Sequence, residues 1–225
     1  LHERVPWEYT PEPLPDAGSS LEDVPDRAGL TLGGWSLPRG RGAQAISLGN
    51  GRLAAWLTED ATGALRWHDM AITRWPDDAL CDEAATRLLL RDADHGATWD
   101  FGGDGQTRPA VTLSAHKASY HIVQEGMSAT QDICIAAADD VELRRLTLVN
   151  PGGTPRRVEV TSYCEPVLAK PADHGRHPAF SKLFIEGHHV PDLDAVMFTR
   201  RPRRPEGTPP VMLQRVLVER GAITP

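Results

Sequence analysis

The sequence predicts an all-β protein, a large antiparallel β-sandwich. Three observations carry that expectation. Apolar and polar residues alternate in short runs along much of the 225 residues, which is the period of a strand with one face buried. Turn-forming Gly, Asn, Asp and Pro separate those runs at the spacing of sandwich strands. No stretch of helical length sustains a 3.6-residue amphipathic period. Short turns between neighbouring strands imply antiparallel pairing.

Along the chain, residues 1–43 carry six prolines: Pro6, Pro11, Pro13, Pro15, Pro25 and Pro38. Each removes a ladder donor and fixes φ. This segment reads as a linker or extended arm, and the sandwich domain as 44–225. Trp7 and Trp35 are large enough that parts of the arm are expected to dock on a surface. Gln44–Leu48 and Arg52–Thr58 flank Gly49-Asn50-Gly51, a hairpin signal, because Asn-Gly accepts positive φ at low cost. Ala64–Ile72 mixes apolar and polar residues. Thr86–Arg91 fits a strand or a helical turn. Ala97–Phe101 and Ala110–Ser114 bracket the turn Gly102-Gly103-Asp104-Gly105. Met127, Ala129, Gln131, Ile133 and Ile135 recur at every second position, as one face of a half-buried strand does. Val141–Leu148 alternates too but shifts phase across Arg144-Arg145, which predicts a β-bulge. Asn150-Pro151-Gly152-Gly153 predicts a turn, and Arg157–Ala169 a long return strand. Later candidates are Lys182–Glu186, Ala195–Thr199 and Val211–Glu219, for roughly a dozen strands in all.

Hydrophobic content of 40% and charged content of 24% suit a globular chain that buries a sizeable core. The net charge of −7 argues against a nucleic-acid partner and against an anionic membrane surface. No apolar run approaches the ~18–20 residues of a membrane span. The chain opens on Leu1 rather than Met, so it is expected to be a piece of a longer protein. Three widely spaced cysteines, Cys81, Cys134 and Cys164, fit a reducing compartment better than a disulfide framework. Their spacing is not that of a zinc site.

Glycosyl transfer or hydrolysis needs a carboxyl pair across the scissile bond. Asp77, Asp78, Asp82, Glu83, Asp92, Asp94, Asp139, Asp140 and Glu165 are available, but most lie in turns, where Asp bonds its own backbone. None stands out as a catalytic acid. His188 and His189 are adjacent, so in a strand they face opposite ways and one metal cannot use both. Ser181 lacks the G-x-S-x-G elbow of a nucleophile, and neither Gly-rich turn carries the lysine and hydroxyl of a phosphate loop. Arg200-Arg201-Pro202-Arg203-Arg204 reads as a solvated loop. No catalytic residue, metal or cofactor is therefore expected. Arg74, Trp75 and Asp78 form a compact polar–aromatic group of the kind a sugar pocket uses. Trp56, Trp67, Trp75 and Trp99 also fit the alternative of sandwich core.

Five segments in order carry a family resemblance: Asn50-Gly51-Arg52, Ala71-Ile72-Thr73-Arg74-Trp75, Leu143–Leu148, Thr161-Ser162-Tyr163-Cys164-Glu165 and His177–Phe184. With them, the chain resembles the β-sandwich (supersandwich) region of glycoside hydrolase family 94, formerly glycosyltransferase family 36, of the cyclic β-1,2-glucan synthase type. The resemblance implies a sandwich that packs on an (α/α)6 barrel, forms one wall of the carbohydrate site and contributes to a dimer interface. It places the general acid, an Asp, in the barrel. It also implies that the sandwich is incomplete at its C-terminus. The substrate contacts expected here are Arg74, Trp75, Asp78, His177, Phe180 and Ser181. One departure is Thr62-Gly63-Ala64-Leu65-Arg66-Trp67, where similar enzymes carry Gly-Tyr-Ser, so a sugar contact from that Tyr-Ser is missing.

The expected function is that of a non-catalytic sandwich domain in a glucan-active glycosyltransferase or glycoside phosphorylase. Its partner would be a β-glucan oligosaccharide, met together with a catalytic domain. The alternatives are an autonomous carbohydrate-binding module and a structural dimerisation domain forming a homodimer. The expected location is the cytoplasm, or the cytoplasmic face of a membrane-anchored parent.

Overall fold

In a computed structural model of the chain, the described residues are 35–36, 45–75, 86–102, 107–202, 208 and 210–219. Most of the Pro-rich arm, Asp78, Cys81, Arg203 and Arg204 lie outside them. The described residues form strands β1 (Trp35–Ser36), β2 (Ala45–Gly49), β3 (Leu53–Thr58), β4 (Gly63–Trp67), β5 (Met70–Thr73), β6 (Thr86–Asp92), β7 (Thr98–Trp99) and β8 (Ala110–Ser114). They continue with β9 (Lys117–Gln124), β10 (Met127–Ile135), β11 (Glu142–Val149), β12 (Val158–Cys164) and β13 (Pro166–Ala169). Helices α1 (Pro171–Arg176) and α2 (Pro178–Lys182) then precede β14 (Ile185–Val190), β15 (Ala195–Arg200) and β16 (Met212–Arg215).

The strands make four antiparallel sheets, ordered β1-β8-β9-β10-β11, β13-β5-β4-β3-β2, β12-β6-β7 and β14-β15-β16. The main core lies among the first three. Leu48, Ala55 and Leu57 meet Val111, Leu113, Tyr120, Ile122, Ala129 and Ile133, with Leu90, Trp99 and Phe101 beside them. All but Phe101, which lies in the turn after β7, come from the inward phase of their strands, as the period of two requires. Tyr120 is fully buried, and its hydroxyl donates to the Thr58 carbonyl at 2.9 Å. Burial pushes its phenol upward.

The β2–β3 hairpin forms at Asn50-Gly51, with Gly51 at φ +89°. Asn50 Oδ1 accepts from the Arg52 and Leu53 amides at 3.0 and 2.9 Å. Its Nδ2 reaches across to the carbonyls of Ala136 and Asp139 at 2.9 and 3.0 Å. Arg52 pairs with Asp140 at 2.8 Å, and Trp67 donates to the same carboxylate. The hairpin is thereby pinned to the β10–β11 turn of the facing sheet. Gly63 is needed for close approach: a Cβ there would sit 1.9 Å from the Trp56 carbonyl oxygen.

Several expectations are corrected. No bulge interrupts β11, which pairs residue for residue with β10 from Ile135↔Glu142 to Ser128↔Val149. Arg144 occupies the same phase as Leu146 and Leu148 because Glu142, two positions back on that face, neutralises its guanidinium. A charged pair on the inward phase, not a shift of phase, breaks the apolar pattern, and Leu143 points outward. Arg157–Ala169 is not one return strand. It breaks at Glu165, so that β12 pairs with β6 and β13 pairs with β5. Pro166 and a register shift with Leu168 at φ +50° mark the break. Lys182–Glu186 is not a strand: α2 runs to Lys182, and β14 starts at Ile185. Pro171 and Pro178 at the helix starts suit first-turn positions, where no amide donor is needed. Strand β9, which no expectation covered, buries Ala118, Tyr120 and Ile122 on alternate positions.

Candidate functional site

The break between β12 and β13 places Glu165 where segments distant in sequence meet. Arg74 follows β5, and its amide donates to the Glu165 carbonyl at 3.0 Å. Its Nε donates to Glu165 Oε2 at 2.7 Å. Tyr163 donates its hydroxyl to Oε1 at 2.9 Å. Lys182, the last residue of α2, brings its ammonium to 3.3 Å from Oε2. Burial alone would raise this carboxyl, but the hydrogen bonds from Arg74, Tyr163 and Lys182 hold it down at about 2. Glu165 is therefore ionised at neutral pH and anchors the helical corner to β5 and β12. Three of the five segments that carry the family resemblance end on this one carboxylate.

The corner itself presents a hollow of about 370 Å³ lined by Asp173, Arg176, His177, Phe180 and Ser181. His177 links the two helices, and its carbonyl accepts from the Ser181 amide at 2.9 Å. Phe180 is 56% exposed and packs edge to face on Phe184, with centroids 5.2 Å apart. Ser181 is buried, and its Oγ accepts from Arg200 Nη2 at 3.2 Å. Arg200 Nη1 also donates to the carbonyls of Val167 and Ser181 at 3.0 and 3.1 Å. Its guanidinium lies 5.5 Å over the Phe184 ring.

Arg200 is thus not part of a solvated loop. It ends β15 and is 7% exposed, because backbone carbonyls and a hydroxyl take its donors. Arg201 does reach solvent, pairing with Glu186.

Of the sequence-predicted contacts, His177, Phe180 and Ser181 come together around the hollow. Arg74 is joined to their corner through Glu165, with its charge already paired. Trp75 lies elsewhere, edge to face with Trp56 at 6.4 Å, both rings exposed. Asp78 lies outside the described residues. Trp99 is core, whereas Trp56 faces outward. The sequence carries a hint of this, since Trp56 shares its strand phase with Ala54 and Thr58 rather than with Leu53 and Leu57.

Asp60 is a described carboxyl that shifts upward, through burial first and then Glu59, with Asp100 adding and Arg108 opposing. It lies in a partly open nest with Thr62, Arg87, Asp100 and Gln131. Among the described residues no group of three His, Cys, Asp or Glu side chains could hold a metal. His188 lies 4.0 Å from Glu186 and His189 lies 3.9 Å from Asp194. Cys134 and Cys164 are free thiols, and burial raises Cys164. No described helix is long and apolar enough to cross a membrane.

Four antiparallel sheets with a short helical corner define an all-β domain of supersandwich type. The chain belongs to the glycosyl hydrolase 94 supersandwich-domain family, whose sequence model matches residues 38–223. It is also similar to the cyclic β-(1,2)-glucan synthase NdvB of Rhizobium meliloti (strain 1021), at 31% identity over 186 residues. That match covers 81% of this chain and 6% of the length of that relative.

Proposed function

We propose that this domain is a non-catalytic scaffold in a glucan-active glycosyltransferase or phosphorylase of the cyclic β-1,2-glucan synthase type. Its α1–α2 corner would form one wall of the carbohydrate path. The observation that carries this reading is the Glu165 node. A carboxylate kept ionised by Arg74 and Lys182 suits holding a wall in place, not donating a proton. The hollow beside it offers Asp173, Arg176 and His177 for hydroxyls and Phe180 for a ring face. The likeness to a cyclic glucan synthase supports glucan as the polymer.

The test is amide hydrogen exchange of the chain with β-1,2-linked gluco-oligosaccharides, with the sugars analysed afterwards. Slowed exchange across 171–184 and unchanged sugars are expected. Turnover of the sugar by this chain, or unaltered exchange across that segment, sinks the reading.

A second reading, homodimerisation, is favoured by one observation. Val211, Leu213, Val216, Leu217 and Val218 are all exposed around β16, which pairs only with β15 among the described residues. It requires an interface above about 1,000 Å², and a strict monomer in sedimentation at high concentration removes it.

A further inference from the structure

The outer face of the sheet β13-β5-β4-β3-β2 carries two tryptophans that the core does not use. On β3, Leu53, Ala55 and Leu57 are buried, while Ala54, Trp56 and Thr58 take the other phase. Cross-strand register extends that outer phase. Ser47 of β2 and Ala64 of β4 lie directly opposite Trp56, and Arg66 lies opposite Ala54 and Ala71. The Trp56 indole therefore stands among side chains too short to cover it. Trp75 meets it with centroids 6.4 Å apart and planes at 71°. The rings remain 44% and 40% exposed. They are the only large hydrophobics exposed among described residues 45–75, whereas the exposed apolar side chains from Val123 to Val218 are mostly aliphatic.

We propose that the Trp56–Trp75 corner is a second carbohydrate site, which stacks a soluble, bent β-linked gluco-oligosaccharide. That glucan is the polymer rests on the reading above. A β-glucopyranose with equatorial hydroxyls turns axial C–H groups to its ring faces, an apolar plate that the electron-rich face of an indole attracts. A protein partner needs a broader apolar core at its interface, and among the described residues the strand positions around Trp56 hold only short or polar side chains. A nucleobase stacks as well, but its phosphates are repelled by a chain of net charge −7. The near-perpendicular rings make a floor and a wall. A flat ribbon such as a β-1,4 chain lies on one of them at a time, while a chain that turns between units can use both. Exposed Ser47 and Arg66 stand on the same face to bond the hydroxyl rim.

The test follows the indole N–H signals of the ¹⁵N-labelled chain during titration with β-1,2-linked gluco-oligosaccharides and, in parallel, cellodextrins. The Trp56 and Trp75 signals should move, more at a given concentration for the β-1,2 series. Trp56→Ala and Trp75→Ala should each weaken binding at least about tenfold. Trp56→Phe, which keeps an aromatic ring, should weaken it less. Fixed indole signals with both sugars, or a Trp56→Ala chain that binds as the parent does, overturn the proposal. So does movement confined to the His177–Phe180 amides, which would leave the wall reading standing. Moving indoles without slowed exchange at 171–184 would do the reverse. Indole shifts that depend on protein concentration without sugar would identify a second copy as the occupant and also overturn it.

Discussion

Replacing Arg200 with Met should loosen the helical corner and destabilise the chain by about 3 kcal/mol. The guanidinium donates to two carbonyls and one hydroxyl on residues that are themselves buried, Val167 and Ser181. Leaving a buried acceptor without its donor costs about 1–3 kcal/mol. The stranded Val167 carbonyl at a middle value, with the charged bond lost at the Ser181 carbonyl, which keeps the Phe184 amide, gives about 4 kcal/mol, and release from the cost of burying a charge returns about 1 kcal/mol. Arg200→Lys keeps the charge but loses the planar fork, so one carbonyl is stranded and about 1–2 kcal/mol is lost. Urea unfolding followed by tryptophan fluorescence measures both changes at constant slope. Amide exchange should speed up across 178–184 in the Met variant, since Arg200 holds both the carbonyl and the hydroxyl of Ser181 in that segment. A double-mutant cycle with Ser181→Ala isolates the shared contact, with an expected coupling of about 1 kcal/mol. The reasoning is refuted if Arg200→Met shifts stability by less than about 0.5 kcal/mol, the scale of an ordinary surface change.

Glu165 makes stability depend on acid: its folded pKa of about 2 lies below the ordinary 4.5, so its contribution is complete above the upper value and lost as pH falls towards the lower. Glu165→Gln should therefore flatten the decline in urea midpoint between about pH 5 and pH 2, and an unchanged decline counts against the node. Asn50→Ala removes the bonds that pin the β2–β3 hairpin to Ala136 and Asp139; a loss of about 1–2 kcal/mol with faster exchange at Arg52 and Leu53 is expected in a denaturation and exchange experiment. Gln131 is 1% exposed, with neither amide atom hydrogen-bonded, so Gln131→Met should raise stability by about 1 kcal/mol, and a lower thermal midpoint would show that the amide has a partner.

The parts legible in the sequence are those governed by local period. The Asn50-Gly51 hairpin and the alternation of β10 stand where local chemistry places them, because both signals are complete within a few residues. β9 carries the same alternation through Ala118, Tyr120 and Ile122 and could have been found by it. What sequence could not show is set by distant partners. Arg200 looks solvated inside a basic run, and only Val167 and Ser181, far back in the chain, make it a buried donor. The inward Arg144 mimics a shift of phase because its neutralising partner sits on the same strand. For the site, family likeness drew attention to Arg74, to Thr161–Glu165 and to His177–Phe184, but that Glu165 joins the other two is visible only once β12 and β13 part.

That parting also governs how the chain must fold. Strand β12 pairs with β6 and not with the β11 that precedes it. At the crossing, Arg156 bonds to the buried Asp92 carboxylate 64 positions earlier and reaches back to the Glu125 carbonyl. No hairpin can form these contacts early; the β8–β11 meander must first be closed as one long loop. Refolding should therefore show a slow phase that ends with the Asp92–Arg156 pairing, after β8 to β11 have zipped locally. The order of assembly is written into the connection at Asn150–Arg157, a stretch with no buried residue.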